Sequence, residues 1–347
     1  MKAATATVDM TNDVIDPIND LISSLRIGNP AQYRNLCVYP LQSKGATRHA
    51  AYFVLDDALA TNQFRITETS EHGSVPRLLA INNTGSPVFL LDGEELVGAK
   101  QNRVLNLSVM LAANSTTEIP VSCVEAGRWR TKSHAFEAAE RVQFARGRAR
   151  KMEQVSRSLR AIGAAASDQS AIWEDIAEKS ARMRVASPTQ AMAALFENSQ
   201  DDLRKYLDAI PPGDDQVGAV YAFGDCLAGI EVFDSAGTFR RLAGKLLASY
   251  ALDAIEVTQH GVPPAVEAVG RFLGSVCAAT RERTATVGIG AAVRLSANDL
   301  VGAALEVADS TVHLAAFPRQ TIEGGHQDRG AGRSRLVRSQ RRTHRQW

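Results

Sequence analysis

The feature that most restricts the fold is a series of short β-rich segments between residues 34 and 126. Clusters of Gly, Asn, Asp and Ser separate these segments, which read LCVYPL, AAYFVL, FRITET, RLLAI, VFLL, RVLNLSVML and TEIPVSCVE. Short runs of β-branched and aromatic residues at such spacing are typical of strands in an antiparallel sheet. The sequence therefore predicts a β-rich N-terminal half, built as a sandwich or an open barrel.

Helical and mixed patterns surround this β-rich part. Apolar residues at three- and four-residue spacing predict a short helix within the N-terminal segment, residues 1–33. Residues 131–210 are rich in Ala, Glu, Gln and Arg, which predicts a helical middle segment. Residues 217–318 combine both patterns and predict a smaller α/β C-terminal half. We therefore predict an α+β fold in which residues 34–323 form one composite domain, with residues 34–130 as its β-rich part.

Two local patterns give sharper predictions. The pair Gly224-Asp225 lies between the β-rich runs VGAVYAF and GIEVF, which predicts a β-hairpin. The first helix of the middle segment is strongly basic, and we interpret its cations as a solvated face. These cations are Arg141, Arg146, Arg148, Arg150, Lys151, Arg157 and Arg160.

Charge is distributed unevenly along the chain. Residues 324–347 hold seven arginines and one acidic residue, a formal charge of +6, and because the whole chain carries +1, the rest carries −5. A mildly acidic body gives no electrostatic reason to expect nucleic-acid binding there. The Arg-rich segment has too little apolar surface to offset its ordering entropy, so we predict a disordered tail that contacts nucleic acid only weakly.

The sequence shows no pattern typical of a disulfide-rich, membrane-spanning, metal-binding or cofactor-binding protein. The four cysteines, Cys37, Cys123, Cys226 and Cys277, form no CxxC pair, which favours a reducing, cytoplasmic compartment over a disulfide framework. No run of about 18 apolar residues suggests a membrane span. The histidines form no HExxH or HxH pair, and no glycine motif for a nucleotide cofactor is complete, so we predict neither a metal nor a cofactor.

The densest polar run within β-rich sequence is LDGEELVGAKQNR, residues 91–103. One interpretation takes Asp92-Gly93 as a hairpin turn, with the acidic residues and Lys100 solvated on its rim. This interpretation needs no ligand.

The second interpretation is a ligand site. Its binding groups would be four consecutive hydrogen-bonding side chains, Lys100, Gln101, Asn102 and Arg103. Arginine binds a phosphate with two parallel hydrogen bonds and lysine adds a point charge. Glu94 and Glu95 would then accept from ribose hydroxyls or act as a catalytic general base.

A second segment would join this site. If the strands that contain Arg103 and Thr117 pair as an antiparallel hairpin, Glu125 and Trp129 lie near residues 100–103. We therefore predict Glu125 and Trp129 as further ligand-binding residues, although Trp129 also fits a half-buried core position. Cys123 has no histidine neighbour in the sequence and is interpreted as a buried, unreactive thiol.

These residues resemble a known family. The runs LDGEELVGAKQNRVLNLSVMLAANSTTEIPVSCVEAGRW, DQSAIW and GAVYAFGDCLAGIEVFDSAGTFRRLAGKLLASYALDA are similar to the ARG and rhodanese-phosphatase-superfamily-associated protein domain family, over roughly residues 25–318. The resemblance implies a role near NAD-derived or ADP-ribose metabolism, without fixing a reaction. It maps the motif onto Gly93, Glu94, Gly98, Lys100, Gln101, Asn102, Arg103, Cys123, Glu125, Gly127 and Trp129.

Two functions stay open at this point. The first is a nucleotide-handling protein, enzyme or sensor, that binds or processes an ADP-ribose-like or phosphorylated ribose ligand. The second is a noncatalytic accessory module that binds a partner enzyme, an ADP-ribosyl glycohydrolase or a phosphatase. A concave site on which the polar groups converge would favour the first function, and polar groups satisfied within a closed turn would favour the second.

Overall fold

A computed structural model describes residues 16–45, 50–70, 75–128, 133, 135–257 and 261–323. Residues 1–15, the Arg-rich segment 324–347 and Trp129 lie outside the described residues.

The strands lie in two parts of the chain, before and after a helical stretch at residues 145–209. In chain order they are β1 (Leu25–Ile27), β2 (Ala31–Tyr33), β3 (Leu36–Ser43), β4 (Phe53–Val54), β5 (Phe64–Glu68), β6 (Arg77–Asn82), β7 (Val88–Leu90), β8 (Glu94–Gly98), β9 (Arg103–Leu105), β10 (Val109–Leu111), β11 (Ser115–Cys123), β12 (Ala135–Val142), β13 (Gln216–Phe223), β14 (Cys226–Phe233), β15 (Thr280–Ala285), β16 (Ala291–Ser296), β17 (Leu300–Val307) and β18 (Ser310–Pro318).

The helices are concentrated in the middle of the chain. They are α1 (Pro17–Ser23), α2 (Leu55–Ala60), α3 (Ala145–Ile162), α4 (Gln169–Met183), α5 (Ala193–Asn198), α6 (Gln200–Ala209), α7 (Ala236–Glu256), α8 (Val266–Ala278) and α9 (Arg319–Glu323). Side chains cap the N-termini of three of these helices. The Asp16 carboxylate accepts hydrogen bonds from backbone amides in the first turn of α1, and Asp168 does the same for α4. The Ser235 side chain accepts from the Gly237 N–H in α7.

Three sheets organise the described residues. A large antiparallel sheet has the order β1-β3-β13-β14-β18-β17-β16-β15, and β2 also pairs with β3. A closed barrel has the order β11-β6-β5-β12-β8-β9, and a small sheet has the order β10-β7-β4. The large sheet joins strands from both ends of the chain, because β1–β3 come from the N-terminal part.

Helices cover the two faces of the large sheet. Helices α1 and α8 pack on one face, where Val269, Phe272 and Val276 are buried. Helix α7 packs on the other face and also contacts β12 of the barrel, so it lies between the two β structures. The barrel has its own apolar interior, which includes Phe64 and Phe136.

The predicted α+β class is confirmed, with a difference in the β-rich half. The barrel is closed, and the first predicted strand, β3, leaves the N-terminal half to pair with β13 in the large sheet. Burial explains this placement. Leu36 and Val38 enter the core beneath α7, while Cys37 and Tyr39 enter the core beneath α8, so this strand needs cover on both faces.

One local prediction is confirmed and another is wrong. The hairpin at Gly224-Asp225 is confirmed, since β13 and β14 pair up to Phe223 and Cys226. The run RVLNLSVML is not one strand. It divides at residues 106–108 into β9, which belongs to the barrel, and β10, which belongs to the small sheet.

The interpretation of the basic helix as a solvated face is wrong for three of its residues. Arg141 lies on β12 and outside the helix. Arg148 and Lys151 in α3 are fully buried. Arg148 forms an ion pair with Glu231 of β14, with Nη1–Oε1 and Nη2–Oε2 distances of 2.6 and 3.3 Å. Burial alone would lower the pKa of Arg148, but Glu231 and Asp92 oppose this effect and the pKa is raised. The cation is therefore kept inside the molecule by a buried carboxylate.

This ion pair gives a stability prediction. Replacing Arg148 by Met removes the guanidinium while keeping much of its volume, and leaves Glu231 buried without its main cation. We expect Arg148→Met to lower the free energy of unfolding by about 3–5 kcal/mol, measured by urea denaturation. Arg157→Met in the same helix, where the side chain is 69% exposed, should change it by less than about 0.5 kcal/mol. Equal effects of the two substitutions would contradict the assignment.

Candidate functional site

The polar run at residues 91–103 spans the turn between β7 and β8, the whole of β8 and the loop to β9. Asp92 and Gly93 form the turn, and Gly93 has a φ of +81°. Glu94 and Glu95 follow on β8 and are both fully buried. Because successive side chains of a strand point to opposite faces, the two carboxylates lie in different surroundings.

Glu94 lies outside the group formed by the other predicted site residues. Its Oε1 accepts from Lys245 Nζ of α7 at 2.7 Å, and the same ammonium contacts Asp56 Oδ2 at 2.5 Å. Burial raises the pKa of Glu94, although Lys245 opposes this change. The contacts of Glu94 therefore stabilise the packing of β8 against α7.

Glu95 faces the other predicted residues. Its Oε1 accepts from Asn102 Nδ2 at 3.0 Å, and its Oε2 accepts from Arg141 Nε at 2.5 Å. Burial raises the pKa of Glu95, while Arg141 and Asn102 act in the opposite direction. A carboxyl group with a raised pKa can exchange a proton closer to neutral pH than an exposed one.

Asn102 is the centre of a group that we name the motif cluster. The cluster consists of Glu95, Gln101, Asn102, Arg103, Glu125 and Arg128. The Asn102 side chain donates to Glu95 and accepts from Arg128 Nη2 at 3.0 Å, and its backbone N–H donates to Glu125 Oε2 at 3.1 Å. One residue thus links three separate segments of the chain.

Glu125 is tied to the cluster through both its backbone and its side chain. Its carbonyl oxygen accepts from Gln101 Nε2 at 2.9 Å, and its Oε2 accepts from Arg128 Nε at 2.8 Å. Burial alone would raise the pKa of Glu125, but the hydrogen bonds from Arg128 and Asn102 outweigh it and lower the pKa. Glu125 is therefore held as a carboxylate.

Arg103 lies deepest in the cluster and is fully buried. Its Nη1 donates to Gln101 Oε1 at 3.1 Å, and burial lowers its pKa. Cys123 is its cross-strand partner in the antiparallel β9–β11 pairing, whereas residues 115–120 of β11 pair with β6, so only the far end of the predicted hairpin forms. Burial raises the pKa of the Cys123 thiol, which is the character expected of an unreactive cysteine.

The site includes two further cations, Arg128 of the cluster and Lys100, which precedes Gln101 in the chain. Both are partly exposed, and the Arg128 side chain retains 15% of its accessible surface. Arg128 also donates from Nη1 to the Ala99 carbonyl at 2.8 Å. Trp129, which follows Arg128 in the sequence, lies outside the described residues. Arg128 and Arg141 were missed by the sequence analysis, although Arg128 lies within the run CVEAGRW.

Gly98 has a structural reason to be glycine. Its φ is +138°, and a Cβ there would lie 2.8 Å from the Ala135 carbonyl oxygen and 2.6 Å from Ser133 Oγ. The residue lets β8 approach β12 closely where the barrel closes.

The fold has a surface cleft away from the motif cluster. A cleft of about 360 Å³ lies beside α8 and the end of β18. It is lined by Leu227, Ala268, Arg271, Phe272, Ser275, Asp299, Pro318, Arg319 and Gln320. None of these residues belongs to the motif cluster, so the cleft offers a separate surface against which ligand binding at the cluster can be compared.

Two kinds of feature are absent from the described residues. No group of three or more His, Cys, Asp or Glu side chains there is arranged to hold a metal ion. No helix in the same part of the chain combines the length and the apolar character needed to cross a bilayer.

Comparison with known proteins identifies one family. A family model described as "ARG and Rhodanese-Phosphatase-superfamily-associated Protein domain" matches residues 24–317, which is most of the chain. Neither the curated proteins nor the solved structures contain a match.

The close approach of β8 and β12 at Gly98 gives a prediction about stability. We expect Gly98→Ala to lower the free energy of unfolding by about 1–3 kcal/mol, because the added methyl group meets backbone at a left-handed φ. As a control, Gly270→Ala in α8 adds a methyl group with no heavy atom within 4 Å and should stabilise by about 0.4–1 kcal/mol. Chemical denaturation measures both changes, and a neutral Gly98→Ala would show that the barrel wall tolerates the methyl group.

Proposed function

Because the chain belongs to the ARG and Rhodanese-Phosphatase-superfamily-associated Protein domain family, we propose that it binds an ADP-ribose-like or phosphorylated ribose ligand at the motif cluster. The family name associates the domain with ARG and phosphatase-superfamily proteins. A protein that acts beside such enzymes meets ligands that carry both phosphate and ribose.

The observation that carries the proposal is the bonding of Asn102. Its side chain and backbone hold Glu95 of β8 together with Glu125 and Arg128, which follow β11, in one fixed arrangement. A site whose side chains are held before the ligand arrives loses little entropy on binding. The cluster also combines the groups that such a ligand needs, cations for phosphate and carboxylates and amides for hydroxyl groups.

We assign different roles to the predicted residues. Lys100 and Arg128, which are partly exposed, bind the phosphate. Asn102 and Glu125 orient Arg128, and Gln101 holds the Glu125 backbone. Arg103 donates to Gln101 Oε1 through Nη1, so in this proposal it supports Gln101 and does not contact the phosphate. Of the two catalytic candidates, Glu95 is retained as the general base, because Glu94 is paired with Lys245 on the other face of β8.

A second function is favoured by a different observation. The cluster residues other than Arg128 are buried, and the cluster residues are bonded to one another, as expected if they brace the β8–β9 connection. Under this alternative the protein is an accessory module that binds an ADP-ribosyl glycohydrolase or a phosphatase, and the cluster maintains its shape.

We further propose that the protein works in a reducing, cytoplasmic compartment. All four cysteines are free thiols, and Cys37 and Cys123 are buried. Free thiols in this number are typical of intracellular proteins.

The two functions are separated by a thermal-shift screen with ADP-ribose, NAD, nicotinamide and ribose 5-phosphate. A ligand present at about 100 times its Kd should add ~2.7 kcal/mol of apparent stability. We expect Lys100→Ala and Arg128→Ala to weaken binding by roughly 1.5–3 kcal/mol while the protein stays folded, since each removes a charge-assisted hydrogen bond.

Two control variants locate the ligand. Arg77→Ala removes an exposed cation of the barrel, and Arg271→Ala removes a cation of the 360 Å³ cleft. Neither should change the affinity. If no compound in the screen binds and the cluster variants only lose stability, the accessory-module function replaces the ligand-binding one.

Glu95→Gln separates an enzyme from a sensor. If Glu95 is a general base, the amide keeps ligand affinity, measured by calorimetry, but turnover of the bound ligand falls by about 100-fold or more. If Glu95 only accepts a ribose hydroxyl, the same substitution weakens binding and no turnover is detected in the unmodified protein. Glu94→Gln is the matched control, and we expect it to change stability without changing ligand affinity.

A further inference from the structure

The cleft of about 360 Å³ beside α8, which we name the α8 cleft, is built from four separate parts of the chain. Ala268, Arg271, Phe272 and Ser275 follow one another at three- and four-residue spacing and therefore share one face of α8. The start of β14, the turn between β16 and β17, and the junction of β18 with α9 contribute the other lining residues, which are Leu227, Asp299, Pro318, Arg319 and Gln320. Because small-molecule sites span about 300–1,000 Å³, a cleft of this volume accepts one small ligand.

The part of the cleft that Arg319 contributes is held by contacts within the chain. The Arg319 backbone N–H donates to the Asp299 carbonyl at 2.8 Å. The Arg319 side chain donates from Nε to the Ala297 carbonyl at 3.1 Å and from Nη1 to Glu153 Oε1 at 2.8 Å. Arg319 therefore holds the β16–β17 turn beside the start of α9, and its charge is balanced by Glu153.

The two other charged side chains of the cleft differ from Arg319 in this respect. Arg271 and Asp299 are both exposed, and within the described part of the chain neither side chain has an ion pair or a hydrogen bond. They line the same cleft without pairing with each other. The cleft therefore presents one cation and one carboxylate to solvent, and a ligand can reach both without displacing an internal contact.

Much of the remaining lining is apolar. Phe272 and Pro318 are buried, and Leu227 is partly exposed. This surface favours a ligand with a hydrocarbon group, since contact with it removes that group from water. Ser275, which lies one turn from Arg271 on α8, adds a hydroxyl donor. The lining thus matches a small molecule that combines a carboxylate, an ammonium group and an apolar group.

We propose that the α8 cleft binds a free α-amino acid with an apolar side chain. Arg271 and Ser275 bind the carboxylate, and Asp299 binds the ammonium group. The apolar side chain packs against Phe272. This site goes beyond the ligand site of the motif cluster and does not depend on it. A ligand that carries only phosphate charges is disfavoured here, because Asp299 repels them.

The test is isothermal titration calorimetry of the full unmodified chain with L-leucine, for which we expect one bound molecule per chain. Two analogues each lack one charge, since 4-methylpentanoate has no amino group and 3-methylbutylamine has no carboxylate. Each should bind at least about 10-fold more weakly than L-leucine, because it loses a charge-assisted contact. Glycine, which lacks the apolar side chain, should also bind more weakly.

Substitutions locate the bound amino acid. Arg271→Ala and Asp299→Asn should each weaken L-leucine binding by at least about 10-fold. Both residues are exposed, so we expect the two variants to fold. Arg77→Ala removes an exposed cation of the barrel, and Asp309→Asn removes an exposed carboxylate at the opposite end of β17. These matched controls should keep the affinity of the unmodified chain.

Three outcomes overturn the proposal. The folded unmodified protein does not bind L-leucine, or one of the two singly charged analogues binds as tightly as L-leucine, or Arg271→Ala and Asp299→Asn keep the affinity. Failure here is distinguishable from failure of the motif cluster. Lys100→Ala and Arg128→Ala should leave L-leucine binding unchanged, and Arg271→Ala should leave binding of ADP-ribose and ribose 5-phosphate unchanged.

Discussion

The ion pair between Arg148 and Glu231 is the contact on which the arrangement of the molecule depends. Two fully buried charges lose the stabilisation of water, and only close, two-point contact between them offsets that loss. Tyr250 donates a further hydrogen bond to Glu231 at 3.1 Å, and the guanidinium lies 5.6 Å from the ring centre of Phe317. This contact therefore holds helix α3 against β14 of the large sheet.

The same arginine connects this contact to the polar run. A Cβ on Gly93 would lie 2.8 Å from Arg148 Cδ, so the turn at the start of the run leaves room for the arginine stem. Asp92, the preceding residue, bonds through its backbone to Ser108 and lies beside Lys151. The residues at the two ends of the run thus have different surroundings. Asp92 lies toward the large sheet, and Asn102 lies in the motif cluster.

Local patterns allowed part of this structure to be predicted from the sequence. The hairpin at Gly224-Asp225 depends on neighbouring residues, and the proximity of Arg103 and Cys123 follows from two strands that are close in the chain. By contrast, Arg148 and Arg157 look alike in the sequence, and only packing against the sheet distinguishes the buried cation from the exposed one. The contact between Ser108 and His313 spans 205 residues and leaves no sequence pattern, because it arises from the stacking of separate sheets.

The consecutive glutamates of β8 have a consequence for how the strand can pair. Glu94 meets Lys245 on one face, and Glu95 meets Asn102 and Arg141 on the other. A slip of the strand by one residue would exchange the faces, leaving each carboxylate buried away from its cation and bringing Leu96 out of the barrel interior. The pair of charges therefore acts as an alignment device, since only one register of β8 satisfies both carboxylates and the apolar interior together.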